Sequence, residues 1–381
     1  MDFTFTEEQQ AAAEAARGVF ADVAPDSVPS PALTQGAVAE GFDRELWARL
    51  AAADLLSLLL APEHGGAGLD AVALCLVLRE SARTLSRVPL LESCAAAAVL
   101  QAHAEPELVS ELLAGTGRGE TVLTVAAHGR TGHDPADRAV TARRDGPQWV
   151  LDGVQTAVPW AFDADHVLVP AHTAGDGTDR TVLALVPRGH PGTALSGQIS
   201  TTGERLGELR LESARLADRY VVRSDGAWER LRDLLATGTC ALALGLGERV
   251  LRMTAEYTGG RKQFGHPLAT FQAVAVQAAD RYIDLRAMEV TLWQAAWRIG
   301  AGAAGALPVH GDVAVAKIWA AKGVRRVVQT AQHLHGGFGA DTDYPLHRYH
   351  AWAKQLELSL GPAAAHEETL GDLLAAHPLG G

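Results

Sequence analysis

Arg261-Lys262-Gln263-Phe264-Gly265-His266-Pro267-Leu268-Ala269-Thr270-Phe271-Gln272 lies between two long runs of helical patterning. Gly259 and Gly260 precede it and suit a helix stop, and Pro267 suits the first turn of the helix that follows. The sequence therefore predicts a helix–turn–helix corner presenting Arg, Gln and Phe together. Arginine offers a planar fork of donors that matches phosphate. Phe264 adds an apolar face, and Gln263 adds a donor and an acceptor. Such a set suits a clamp for a phosphate-linked cofactor. On residue types alone, a plain surface corner with a solvated Arg and one buried Phe fits better.

Helical patterning extends outward from this corner over 227–259 and 268–300, then over 311–335 and 345–359. These stretches are apolar on one or more faces, as in a bundle whose helices cover one another. One of them closes in His333-Leu334-His335-Gly336-Gly337-Phe338-Gly339. Adjacent glycines admit φ > 0 and close approach of backbone to a ligand, although an ordinary helix stop reads the same way. His333 and His335 are two apart and share no helix face. His347 and His350 can share one, but no carboxylate or thiolate completes a ligand set, so no metal is expected.

From about Thr121 to Val222 the texture changes. Val140–Arg143, Trp149–Gly153, His166–Val169 and Thr181–Val186 are short β-type runs separated by Gly, Pro and Asp clusters. Before them, Thr6 ahead of Glu8-Gln9 and an Ala-rich run reads as a capped helix start. Helical periodicity reaches Leu46–Leu50 and stops at Pro62-Glu63-His64-Gly65-Gly66-Ala67-Gly68. It resumes over 70–85 and, after Pro89, to about Leu113. The predicted class is α+β multidomain: an N-terminal helical domain over 1–118, a central β-barrel or sandwich domain over 119–225, and a C-terminal four-helix bundle over 226–381.

The 381 residues and 48% hydrophobic content suit several domains with a sizeable core. A formal charge of −12 makes the chain a poor non-specific binder of nucleic acid or anionic membrane, so neither is expected as a partner. Cys75, Cys94 and Cys240 lack metal-ligand or redox spacing and read as buried reduced thiols. The polar, acidic start is not a signal peptide. No apolar run is read as reaching the ~20 residues that span a bilayer. The expected location is the cytoplasm.

Together, Arg-x-Gln-Phe-Gly-x-Pro-Leu-x-x-Phe-Gln at 261–272, His-Gly-Gly-x-Gly at 335–339 and Tyr-Pro-Leu-x-Arg at 344–348 strongly resemble the acyl-CoA dehydrogenase family. Met1-Asp2-Phe3 with Thr6-Glu7-Glu8-Gln9, and Ala61–Leu69 with Glu80 and Arg83, match it too, so the resemblance covers essentially the whole chain. It implies a flavoprotein, usually a dimer of dimers. FAD would lie between the β domain and the C-terminal helices of one chain and reach into a neighbour. By that match Arg261, Gln263, Phe264, Gly336 and Gly337 touch the FAD of an adjacent subunit. His333 stands where the family usually has Gln and still donates one hydrogen bond. The resemblance also implies an acyl-CoA or acyl-carrier thioester as substrate and an electron-transfer flavoprotein as acceptor.

Departures cluster in the other half of the site. The family's base is a Glu immediately before a glycine; here the pair is Leu360-Gly361, and leucine has no lone pair and no pKa. Glu357, one helical turn back, reads as a solvated residue ~4–5 Å out of place. The alternative base position aligns with Leu235; Asp233, two residues off, should face elsewhere. No catalytic residue is therefore identified. Ala127–Asp134 replaces the family's Thr-Glu-Pro-x-x-Gly-Ser-Asp, and Gln155–Pro159 replaces Lys-x-Trp-Ile-Thr. Pro159 offers neither hydroxyl nor N–H. Pro362 stands where a Thr follows the glycine.

The sequence thus predicts a subunit of an FAD-dependent acyl-CoA dehydrogenase, the base-lacking partner in a heteromer. A homologous catalytic subunit would carry the Glu. The reaction would be α,β-dehydrogenation of an acyl thioester to the 2-enoyl thioester. Actinobacterial-type paired dehydrogenases acting on steroid side chains or other bulky acyl-CoAs are the analogy. Two alternatives remain: a flavin monooxygenase or oxidase of the same fold, and a structural partner without flavin.

Overall fold

The computed structural model describes residues 4–173, 180–302 and 304–378, so the Met1-Asp2-Phe3 part of the opening motif lies outside the described residues. Helix α1 (Glu7–Phe20) begins at the capping box anticipated at Thr6. Thr6 Oγ1 accepts from the Gln9 N–H at 3.2 Å, and Gln9 Oε1 accepts from the Thr6 N–H at 3.0 Å. Then follow α2 (Arg44–Ala52), α3 (Ala71–Arg83), α4 (Leu90–His103) and α5 (Pro106–Gly117). The glycine-rich break before α3 is a close approach of backbones: a Cβ on Gly66 would stand 2.1 Å from the Leu60 carbonyl oxygen.

The middle of the chain is β1 (Leu123–Val125), β2 (Val140–Asp145), β3 (Gln148–Val158), β4 (His166–Thr173), β5 (Thr181–Pro187), β6 (Thr193–Ile199), β7 (Arg205–Ala217) and β8 (Val221–Val222). They form one mixed sheet in the order β6-β7-β3-β2-β4-β5-β8, with β1 parallel to β4. β4 and β5 read as unbroken apolar runs because both faces are covered. Val167, Val169, Val182, Ala184 and Val186 enter the sheet's own core. Leu168, Leu183 and Leu185 enter the core of the helical domains. β7 instead alternates, burying Leu209, Leu211, Ala214 and Leu216.

The C-terminal part contains α6 (Ala227–Gly260), α7 (Gln272–Ala301), α8 (Val309–His335), α9 (Leu346–Leu358) and α10 (Ala363–Ala376). This is five helices among the described residues, one more than expected, because Pro362 is the N-cap of a further helix, α10. α7 starts later than expected. A two-residue ribbon, β9 (Lys262–Gln263) against β10 (His266–Pro267), and a short turn precede it. Contrary to the sequence reading, α6 is long and apolar enough to cross a membrane by length and composition. Yet 78% of its most apolar window is buried inside the protein. It is a core helix, packed by α3, α4, α7, α8 and α9. Cys75, Cys94 and Cys240 are buried and unpaired, as expected.

Candidate functional site

A cavity of about 260 Å³ opens where the N-terminal helices, the sheet, α6 and α9 meet. The three segments in which the sequence departs from its family all reach it. His128 and His133 come from the loop after β1, Ala157 and Pro159 from the end of β3, and Leu358 and Ser359 from the end of α9. His128 Nε2 and Ser359 Oγ lie 3.2 Å apart and join the sheet to the C-terminal segment across this wall. Burial, with His133 and Lys317 nearby, pushes His128 down to about 4, so it is neutral at physiological pH.

The polar groups at the end of β3 are spent internally. Pro159 has no N–H, and its carbonyl accepts from Thr124 Oγ1 at 2.6 Å. The Ala157 N–H is taken by Gln198 Oε1 at 3.0 Å and the Thr156 N–H by the Gly129 carbonyl at 2.9 Å. Gly129 N–H donates to Gln155 Oε1 at 2.9 Å. The end of β3 therefore offers a flavin ring no donor at Thr156, Ala157 or Pro159, and this segment does not fit a ring bound against it, although His128 Nδ1 on the facing loop has no partner among the described residues.

Leu360 does not line the cavity. It is buried in the helical core, in the left-handed region at φ +57°, and its carbonyl accepts from His366 Nε2 of α10 at 2.9 Å. The end of α9 is further held by fully buried Lys317, whose Nζ donates to the Leu356 carbonyl at 3.0 Å. Burial pulls that ammonium down to about 8. Glu357 is not solvated as the sequence suggested. It is buried, 3.2 Å from Lys354 and 3.6 Å from Arg325, and it does not line the cavity. An acid that holds two cations between α8 and α9 is a brace rather than a base. Leu235 is buried in the core, and Asp233 faces elsewhere, accepting from His310 Nδ1 at 2.7 Å. Neither usual base position holds a carboxylate.

Two acids that the sequence reading missed do face the cavity. Glu92 Oε2 accepts from Trp160 Nε1 at 3.2 Å, and Glu204 Oε2 accepts from Gln355 Nε2 at 2.8 Å. Burial pushes Glu92 up to about 7 and raises Glu204 as well. The signal for Glu92 was present: it is the lone acid in Leu90-Leu91-Glu92-Ser93-Cys94-Ala95-Ala96-Ala97-Ala98-Val99-Leu100. Glu204 carries no such signal, because only the fold brings its loop to the cavity.

A second site lies at one end of the bundle. Arg261, Gln263 and Phe264 sit on the β9–β10 ribbon, all exposed. Phe264 is 91% exposed, at φ +54°, with only an edge-to-face neighbour in Phe271 at 6.4 Å. Phe271 is only half-buried, so neither Phe of this corner is buried as the plain-corner reading required. At the end of α8, His333, Gly336 and Gly337 are also exposed, with open space where a Cβ on either glycine would point. Tyr257, one turn before Arg261, stacks on His335 at 4.3 Å and on Phe338 at 5.5 Å. This stack brings the two motif corners to the same end of the bundle. Among the described residues no ion pair occupies the Arg261 guanidinium, which leaves its fork open to an anion.

The chain matches the family models of the acyl-CoA dehydrogenase N-terminal domain over residues 6–120 and C-terminal domain over residues 233–374. It is 38% identical to acyl-CoA dehydrogenase FadE27 of Mycobacterium tuberculosis, covering 99% of this chain and all of that one. The ChsE4-ChsE5 complex from Mycobacterium tuberculosis aligns over the full length of both chains at 37% identity and TM-score 0.88. The Tcur3481-Tcur3483 steroid acyl-CoA dehydrogenase aligns at 38% identity and TM-score 0.87, covering 97% of this chain and 98% of that one. More distant structures of the same fold hold FADH2 or FAD. The chain is therefore a member of the acyl-CoA dehydrogenase family of flavoprotein oxidoreductases.

Proposed function

We propose that this chain is the base-lacking subunit of a heteromeric FAD-dependent acyl-CoA dehydrogenase. Its homologous partner carries the catalytic Glu and a complete ring-binding groove. The observation that carries this reading is the contrast between the two sites. The wall beside Leu358-Ser359 is closed on itself, while the Arg261–Phe264 corner stands bare. An apolar ring that is 91% exposed, three residues from a guanidinium with no ion pair among the described residues, is what a surface awaiting a phosphate-bearing ligand and a neighbouring subunit presents.

In this reading Arg261, Gln263, Phe264, His333, Gly336 and Gly337 hold part of the FAD whose ring lies in the partner. When bound, FAD supplies the oxidant for conversion of an acyl thioester to the 2-enoyl thioester. Arg261 meets phosphate, Gln263 and His333 offer hydrogen bonds, and the two glycines let backbone approach the ligand. The similarity to a ChsE4-ChsE5 complex and to a steroid dehydrogenase supports a paired assembly and a bulky acyl group. The thioester is carried by CoA or an acyl-carrier protein, an electron-transfer flavoprotein takes the electrons, and the complex works in the cytoplasm. The domain limits at 118/119 and 225/226 belong to the same proposal.

The test is the flavin spectrum of the chain alone and after co-expression with a Glu-bearing homologue from the same operon. The expected outcome is a colourless chain alone and a yellow, active heteromer. Arg261→Ala should weaken flavin binding by the heteromer at least about tenfold, consistent with loss of a charge-assisted pair worth about 1.5–3 kcal/mol. A chain that is yellow and dehydrogenates acyl-CoA by itself sinks the proposal.

A further inference from the structure

The cavity beside the closed wall is still a formed chamber, and its chemistry differs from that of a flavin groove. Leu78, Val88, Leu90, Leu206 and Leu242 give it apolar walls. Polar residues line it too, among them His128, His133, Ser359 and Lys354, whose ammonium is paired with Glu357, and three further polar groups on its lining bear on a ligand. Glu92 is fixed by Trp160, and Trp160 in turn by an edge-to-face contact with Phe42 at 6.3 Å. Glu204 is tethered by Gln355. Trp352 Nε1 is buried with no hydrogen-bond partner among the described residues, its ring held under the Arg87 guanidinium at 5.2 Å. A buried indole N–H without an acceptor is a vacancy in the hydrogen-bond inventory that a ligand oxygen would fill.

We propose that this cavity is a binding site for a small, uncharged, mainly apolar molecule bearing one carbonyl or hydroxyl oxygen, with Glu92 as the group that meets that oxygen. The proposal rests on the reading above that no flavin ring enters this groove. It goes further in giving the chamber a different occupant. With no base at position 360, a molecule held here is bound and not turned over.

Size and charge select the ligand class. A dry cavity of roughly 150 Å³ accepts benzene, so about 260 Å³ accommodates a compact bicyclic body. Burial keeps much of Glu92 in the neutral acid form near neutrality, able both to donate to and to accept from a ligand oxygen. Glu204 already has Gln355 and the nearby Arg87 charge to answer it. An ammonium ligand would lose its hydration between apolar walls for little return.

The experiment uses the full-length chain without partner or flavin and four probes of one shape. Camphor and borneol carry the oxygen, bornane lacks it, and bornylammonium carries a cation. Ligand-observed NMR with tryptophan fluorescence reads the affinities. Camphor and borneol should bind about three- to tenfold more tightly than bornane, the value of one hydrogen bond. Glu92→Leu should remove that advantage and leave bornane unchanged. Glu92→Gln, which keeps a donor and an acceptor, should hold camphor within about twofold. Leu242→Trp, checked for folding by circular dichroism, should abolish binding of all the neutral probes by filling the chamber. Equal binding of camphor and bornane, tightest binding of bornylammonium, or camphor binding that survives Leu242→Trp would overturn the proposal. None of these readouts involves flavin or a second subunit, so failure here is separable from failure of the heteromer reading.

Discussion

Leu360 sits in the left-handed region at φ +57°, which costs a non-glycine residue of order 1 kcal/mol. It is retained there by burial and by His366, which donates to its carbonyl. Restoring the family's acid is therefore not a simple repair. Leu360→Glu places a carboxyl in the helical core with no partner provided, and should destabilise the chain by about 2–4 kcal/mol. It should also fail to give the chain dehydrogenase activity by itself. Thermal melting and an acyl-CoA assay check both parts; an active single-chain variant would show that the base alone was missing. Glu92 gives a pH prediction. Its folded pKa, about 7, lies above its ordinary value of 4.5, so the folded state holds the proton more tightly. Stability from this group is present below about pH 4.5 and lost as pH rises through about 7, with a total near 3 kcal/mol at about 1.4 kcal/mol per unit. Glu92→Gln should remove that dependence. Its melting temperature should gain on the parent between pH 5 and pH 8, and parallel curves would count against a buried acid. The missing base was legible from sequence, because an absent carboxylate is a local fact. That Glu357 is a buried brace was not, since its partner Arg325 lies on another helix.

Of the three long C-terminal helices α6, α7 and α8, α7 is the least covered. None of residues 272–283 is buried, and Val276, Ile283, Val290 and Trp297 recur every seventh position at 52, 63, 54 and 39% exposure. Heptad spacing puts them on one seam roughly 31 Å long, the pattern of a helix that packs against another helix. The seam begins close to the exposed Arg261–Phe264 corner, whose Phe264 ring meets Phe271 at the N-cap of α7 at 6.4 Å. Ile283→Glu should weaken assembly at least tenfold in sedimentation velocity while leaving the circular dichroism of the separated chain unchanged. Loss of helix in that variant would mean that the seam is internal support. Helix existence was legible throughout from periodicity and capping, as at Thr6. The β9–β10 ribbon and α10 were not, because the first is two residues per strand and the second lies in an Ala-rich tail without a strong apolar stripe.

At the scale of the molecule, the two helical parts are not independent. One apolar cluster contains Leu74, Leu78 and Leu100 from the N-terminal helices, Leu235, Leu244 and Val324 from the C-terminal ones, and Leu168 and Leu183 from the sheet. Arg79 and Arg83 of α3 both pair with Glu248 of α6 and reinforce that seam. The chain alone should therefore unfold in one calorimetric transition, and removal of residues 1–118 should leave a remainder that does not fold. Two well-separated transitions would contradict a shared core. The sequence by itself determined the family, the helical–β–helical order, the Arg261–Phe264 and Gly336-Gly337 corners and the absent base. Each of these is carried by local spacing or by residue identity. Only the tertiary structure decided that His128 closes on Ser359, that Leu360 turns into the core, that Phe264 stands bare and that Glu92 and Glu204 share a chamber. Those facts depend on contacts between residues up to two hundred or more positions apart, and no local pattern encodes which distant side chain will be met.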